Sequence, residues 1–314
     1  MEFAESTPRD LLQARAPGAR CDDIGGAEPV TVDDPDRFTI FPIIRPGIWS
    51  LYKQMENLTW TAQDPDMSMD RDHFLKYLNA GEQEFYIYIF AMFGPADEKI
   101  MRNIGERFTA EFKWPEIVYF YRQQCQNEGV HSESYSIQID TLFVGAMRER
   151  VFNAVKTMPV IGKLMGWVDK WIDSSESLST RTAAFAIFEG VVFQGMFLAI
   201  QLLKSRNLMP GVTTYNELIS RDEGTHCMFA CFLLNNHFAR RPAESRVHEI
   251  LDEAVALVDE FFATAISGAK KAMKLPERAP CPVRNVTMAK MAQYVRSVAG
   301  AVMDDMKYRD PYNV

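Results

Sequence analysis

The sequence predicts an all-α fold, a bundle of long helices around one central apolar helix. Three observations predict it. Apolar residues recur at helical spacing, and Pro or Gly clusters cut the chain into long segments rather than short strands. Several segments exceed ~20 residues, longer than a surface helix of a mixed fold usually runs. Residues 183–203 (AAFAIFEGVVFQGMFLAIQLL) are apolar on every face, as a helix surrounded by other helices must be.

In chain order, residues 1–36 carry Pro8, Pro17, Pro29 and Pro35, several glycines and scattered acids without an apolar period, which reads as a flexible lead-in. The helical domain spans 37–307, with helices near 46–57, 71–78, 82–107, 113–143, 147–156, 161–174, 178–205, 213–238, 242–272 and 286–307. Pro115 suits a first helical turn, where its missing N–H costs nothing. Met209-Pro210-Gly211 reads as a stop signal, followed by Thr213 or Thr214 as N-cap. Gly94-Pro95 lies inside the helix at 82–107, where a proline removes a hydrogen bond and predicts a kink just before Asp97. The run 183–203 is also long enough to cross a bilayer. Glu189 in its middle and the lack of basic anchors before it favour a buried helix in a protein outside the membrane.

The chain has 314 residues, 42 acidic and 34 basic side chains, a net charge of −8 and 47% hydrophobic residues. No basic surplus is available to neutralise phosphates, which argues against a nucleic-acid partner and against a cationic membrane-surface role. Five cysteines, Cys21, Cys125, Cys227, Cys231 and Cys281, form no CxxC pair and are odd in number. A reducing compartment is expected. Met1 to Asp10 carries Glu2, Glu5 and Asp10 where a signal peptide has a basic end and an apolar stretch, so a cytoplasmic location is expected.

The chemistry lies in two Glu-x-x-His pairs, Glu128/His131 and Glu223/His226, in a chain with only five histidines. Residues three apart share a helix face, so each pair presents a carboxylate and an imidazole to one point. One such pair arises readily on a solvated helix; two, with Glu189 buried on a third helix, form the pattern of a di-metal carboxylate bundle. The fourth helix must add a carboxylate, and Asp97 or Glu98 is the candidate. Four carboxylates and two divalent ions make a neutral site, tolerable in a low-dielectric interior. Oxygen and imidazole ligands suit iron or manganese, whereas zinc more often draws on thiolate. Tyr135 follows His131 by one helical turn, about 5 to 6 Å along the axis, where a redox-active metal pair could oxidise its phenol.

Trp60-Thr61-Ala62-Gln63, His131 to Ser136 with Ile139-Asp140-Thr141, Phe188-Glu189-Gly190 and Asn216 to Cys227 (NELISRDEGTHC) together resemble one family. It is the small, radical-generating subunit of class I ribonucleotide reductase, of the type found in eukaryotes and large DNA viruses. The resemblance runs from Arg37 to Met306. It implies a ferritin-like fold in which Asp97, Glu128 and His131 bind one iron and Glu189, Glu223 and His226 the other. Tyr135 matches the tyrosine that holds a stable radical, and Phe193, Phe197 and Ile219 match the apolar residues around it. Trp60 and Asp222, with His131, match a hydrogen-bonded path for electrons and protons toward the surface.

The implied reaction uses O₂ and an external electron donor to oxidise Tyr135. A separate large subunit then uses that equivalent to reduce ribonucleoside diphosphates to deoxyribonucleotides, and the small subunit is expected as a homodimer. Residues 308–314 read as a short C-terminal end in which the docking tail of the family is not recognised, either because the sequence is truncated or because docking differs, and neither Tyr308 nor Tyr312 can be matched to its relay tyrosine. Two other functions compete: a ferritin-like di-iron oxidase or monooxygenase, and a non-catalytic paralogue. Intact ligands weigh against the second, and Tyr135, Trp60 and Asp222 together weigh against the first.

Overall fold

The computed structural model describes residues 27–312, and these contain helices and turns but no strand. Residues 1–26 of the expected lead-in, and Cys21 with them, lie outside the described residues. The helices are α1 (Pro46–Asn57), α2 (Asp70–Tyr77), α3 (Ala80–Asn103), α4 (Thr109–Glu111), α5 (Pro115–Leu142), α6 (Gly145–Phe152) and α7 (Ala154–Thr157). They continue with α8 (Pro159–Trp171), α9 (Leu178–Ile187), α10 (Phe193–Lys204), α11 (Pro210–Asn236), α12 (Glu244–Ala272) and α13 (Met288–Asp305). Two π-helical turns interrupt this order, Ile104–Phe108 after α3 and Phe188–Val192 between α9 and α10.

Helix starts follow local chemistry. Asn79 and Glu82 close a capping box at α3, and the Ser177 and Thr287 hydroxyls accept from the amides of Thr180 and Lys290 to open α9 and α13. Pro115 occupies the first turn of α5, as expected. The expectation of a Thr213 or Thr214 cap is corrected: α11 begins earlier, with Pro210 in its first turn and Met209 in the left-handed region at φ 52°. The open amides there are satisfied from a distance, because the buried carboxylate of Asp70 accepts from Gly211 N (3.1 Å) and Val212 N (2.7 Å). The Thr213 and Thr214 hydroxyls instead donate back to the Pro210 carbonyl. Gly94-Pro95 does not end α3, which runs on to Asn103.

Helix α3 packs against α5 and α12, α5 against α1 and α11, and α11 against α9 and α10. The segment α9 to α10 is the apolar run, and 89% of its most apolar window is buried inside the bundle, so it is a core helix. A buried Glu116 at the start of α5 accepts from Arg37 and from the amides of Ile44 and Arg45, which ties residues 37–45 to the bundle. Cys125, Cys227, Cys231 and Cys281 are free thiols.

Candidate metal centre

Asp97 from α3, Glu128 and His131 from α5, Glu189 from the π turn, and Glu223 and His226 from α11 converge in the core, each with 0% of its surface exposed. Glu98, the alternative to Asp97, is exposed. Donor atoms of Glu128, Glu189, Glu223 and His226 lie within 4.8 Å of one another, as do those of Asp97, Glu128 and His131. Glu128 belongs to both groups. Its two oxygens divide between the imidazoles, 3.4 Å from His131 Nδ1 and 3.2 Å from His226 Nδ1. Glu223 does the same, at 3.1 Å from His131 Nδ1 and 2.7 Å from His226 Nδ1. Two central glutamates thus link two flanking imidazoles, with Asp97 and Glu189 at the sides.

The π turn suits this convergence. Widened turns of this kind recur at functional sites, and this one carries Glu189. The next residue is glycine because a Cβ there would lie 2.6 Å from both Cys227 Sγ and Val302 Cγ2. Gly190 therefore lets α9 and α10 approach α11 closely enough for Glu189 to join Glu223.

Burial in this core opposes charge, and neighbours decide which groups keep it. Glu128 overcomes burial and falls to about 2, held ionised chiefly by the charge of His226 and by the close approach of both imidazoles. His226 overcomes burial and rises to about 9 beside Glu223 and Glu128; His131 is raised well above its ordinary range by Glu223, Asp222 and Glu128. Asp97 and Glu189 are pushed well above the carboxylate range, first by burial and then by neighbouring glutamates. Both oxygens of Asp97, both of Glu189, Glu128 Oε2, Glu223 Oε1 and His131 Nδ1 are buried without a hydrogen-bond partner. Unpaired buried polar atoms are costly. Four carboxylates and two imidazoles with so many free lone pairs fit two divalent cations, whose charge would offset theirs.

Around the cluster, Asp222 Oδ2 accepts from Trp60 Nε1 at 2.7 Å and lies 3.3 Å from His131 Nε2. The Trp60 and His131 rings stack at 5.9 Å. Arg221 donates to the other oxygen, Oδ1, at 3.0 and 3.2 Å. Despite its burial, Asp222 is held below the usual carboxylate range by His131 and Trp60. The hydroxyl of Tyr135 is buried without a partner, and burial together with the field of Asp97, Glu223 and Glu128 keeps it protonated. Phe193, Phe197 and Ile219 are buried as well. Phe93, which sequence reasoning missed, stacks on Tyr135 at 4.5 Å and lies 6.0 Å from Phe193 and 5.5 Å from Phe197. Its signal was available: Phe93 precedes Asp97 by four residues, one turn along the same face.

A helical bundle that aims four carboxylates and two imidazoles from four helices at one buried point is a ferritin-like di-metal carboxylate protein. Residues 37–314 match the family described as ribonucleotide reductase, small chain. The ribonucleoside-diphosphate reductase small chain of African swine fever virus is 46% identical over 245 residues, covering 77% of this chain and 75% of its own. That of Trypanosoma brucei brucei is 39% identical over 289 residues, covering 91% of this chain and 81% of its own. Among solved structures, the Rnr4 homodimer of Saccharomyces cerevisiae superposes with a TM-score of 0.78 at 24% identity, covering 93% of this chain and 89% of that one, a likeness of fold. The chain belongs to the small-chain family of class I ribonucleotide reductases, of the eukaryotic and large-DNA-virus type. Its function is that of the small chain of ribonucleoside-diphosphate reductase, a subunit of an oxidoreductase.

Proposed function

We propose that Asp97, Glu128 and His131 would hold one iron ion and Glu189, Glu223 and His226 a second, and that Tyr135 is the residue oxidised to a stable radical. The observation that carries this reading is the Tyr135 hydroxyl, buried and unpartnered one turn from His131 and roofed by Phe93. When bound, two ferrous ions supply the reduction of O₂ and the oxidising power for a nearby phenol. The chain's residues do the rest. Phe93, Phe193, Phe197 and Ile219 keep water and reductants from the phenoxyl group. Asp222 orients His131 and accepts the Trp60 N–H, giving electrons and protons one hydrogen-bonded route between the cluster and the half-buried Trp60.

In the same reading, the small chain works as a homodimer in the cytoplasm. An external donor supplies electrons, and the oxidising equivalent passes to a large subunit that removes the 2′-hydroxyl of a ribonucleoside diphosphate. Iron is preferred to manganese for the oxidation of Tyr135, and the oxygen and imidazole donors accept either metal. The metal-free chain, loaded anaerobically with Fe(II) or Mn(II) and then exposed to O₂, tests the choice. Two ions per chain, with turnover by a cognate large subunit restored by iron and not by manganese, is the expected outcome; the reverse pattern overturns the iron assignment.

A further inference from the structure

Trp60 sits on the connection between α1 and α2, residues 58–69, which has turns but no helix to hold it. Its hold on Asp222 is one hydrogen bond, so the orientation of the indole depends on what fixes the surrounding backbone. Most of that fixing comes from α11. Arg221 donates to the Leu58 carbonyl at 2.7 Å, and Tyr215 Oη donates to the Ala62 carbonyl at 2.5 Å. In the first turn of α11 a Cβ at position 211 would come within 2.5 Å of the Asp66 carbonyl, so only glycine permits the contact. Gly211, Tyr215 and Asp222 are spaced four and seven residues apart, on one helix face.

Tyr215 is the aromatic part of this clamp and lies beside the indole. Its ring lies 6.2 Å from Trp60, on which His131 also stacks, and both Tyr215 and Ala62 are 1% exposed. On the far side of the loop Gln63 donates to Glu133 of α5 at 2.7 Å, an exposed contact that solvent can replace. The buried phenol cannot be replaced in this way, because without it the Ala62 carbonyl has no donor from α11.

We propose that Tyr215 is a positioning residue for electron transfer: its hydroxyl fixes the backbone two residues beyond Trp60 and so holds the indole N–H on Asp222. The inference rests on the proposed role of Trp60. Tyr215 is not itself a relay. The Trp60 N–H faces a carboxylate that can take a proton, whereas the Tyr215 hydroxyl faces a peptide carbonyl that cannot. Burial also raises the phenol further from ionisation.

The test compares the full-length wild type with Tyr215→Phe, which keeps the ring and deletes the hydroxyl. Hydrogen–deuterium exchange of the metal-free chains should rise roughly tenfold at the amides of 61–67, the loss expected for one buried hydrogen bond, and stay unchanged at 128–135. Acrylamide quenching of Trp60 emission, isolated by subtracting the Trp60→Phe chain, should rise in parallel. With iron, O₂ and a cognate large subunit, Tyr215→Phe should form the Tyr135 radical normally and bind the large subunit as tightly as wild type, with kcat reduced about tenfold. Unchanged exchange at 61–67 overturns the proposal, and so does raised exchange with unchanged kcat. If wild type itself gives no tyrosyl signal, the radical reading fails, while exchange and quenching still decide whether Tyr215 holds the loop.

Discussion

Phe93 lies flat on Tyr135, ring centroids 4.5 Å apart and planes 1° from parallel, and passes the stack on to Phe197 at 5.5 Å. This places an apolar slab between the phenol and the neighbouring helices. Replacing Phe93 with Ala leaves a cavity there and should cost about 3–5 kcal/mol of stability. The radical of the reconstituted variant should decay faster than that of wild type, most steeply when hydroxyurea is added. Urea unfolding and the decay of the tyrosyl signal check both. A lifetime equal to wild type would show that Phe93 is packing and not a shield.

Asp222 should separate making the radical from using it. Asp222→Asn keeps the shape but places an amide, half of it a donor, where Trp60 N–H and His131 both need an acceptor. Turnover with a large subunit should fall about 10- to 100-fold, the usual cost of a lost partner to a ligand imidazole. The yield of tyrosyl radical in the isolated chain should fall much less. Steady-state assay and spin counting on one preparation make the comparison.

Metal binding should release protons. His226 keeps its proton up to about pH 9 and His131 beyond its ordinary range, yet each must be neutral to bind a metal. Uptake of Fe(II) near pH 7 should therefore release the protons of both imidazoles, with any carried by Asp97 and Glu189 in addition. Calorimetry in buffers of different ionisation enthalpy counts them. Binding without proton release would mean that the imidazoles are neutral beforehand or are not ligands.

His237 gives a pH dependence remote from the metal centre. Burial first, and then the charge of Arg45, lower it from 6.5 to about 4, and its ring meets the edges or faces of Trp114 and Phe232. A lowered imidazole is more easily protonated in the unfolded chain. Its stabilisation is thus complete above pH 6.5 and is lost as pH falls through about 4, by roughly 3 kcal/mol in all. His237→Leu should remove that part of the acid dependence. Between pH 7 and 4 the unfolding free energy of wild type should fall by roughly 3 kcal/mol more than that of the variant; a difference that stays constant with pH contradicts the assignment.

The sequence shows how far pattern reaches. Glu189 stood out because it is the sole ionisable residue in an apolar run, and the paired Glu-x-x-His spacings pointed to the faces that meet it. Asp97 and Glu98 could not be separated by pattern, because adjacent residues differ by about 100° around a helix and only the packing of α3 on α5 says which one turns inward. The π turn at Phe188–Val192 was invisible, since nothing in Phe188-Glu189-Gly190 breaks a helical period, and the close approach at Gly190 emerges only from the packing. The start of α11 was misplaced for a related reason: its amides are capped by Asp70, 141 residues earlier in the chain. Local cap rules look for a partner in the adjacent sequence. Phe93 was hidden among aromatic neighbours in FYIYIFAMF, where helical position alone distinguished it.

The radical proposed at Tyr135 can be observed directly. The direct measurement is electron paramagnetic resonance of the metal-free chain loaded anaerobically with Fe(II) and then exposed to O₂, beside Tyr135→Phe treated identically. A tyrosyl signal is expected in wild type and none in the variant, with both chains taking up two irons. A wild-type chain that binds two irons, consumes O₂ and shows no tyrosyl signal, or a variant whose signal matches wild type, would contradict it.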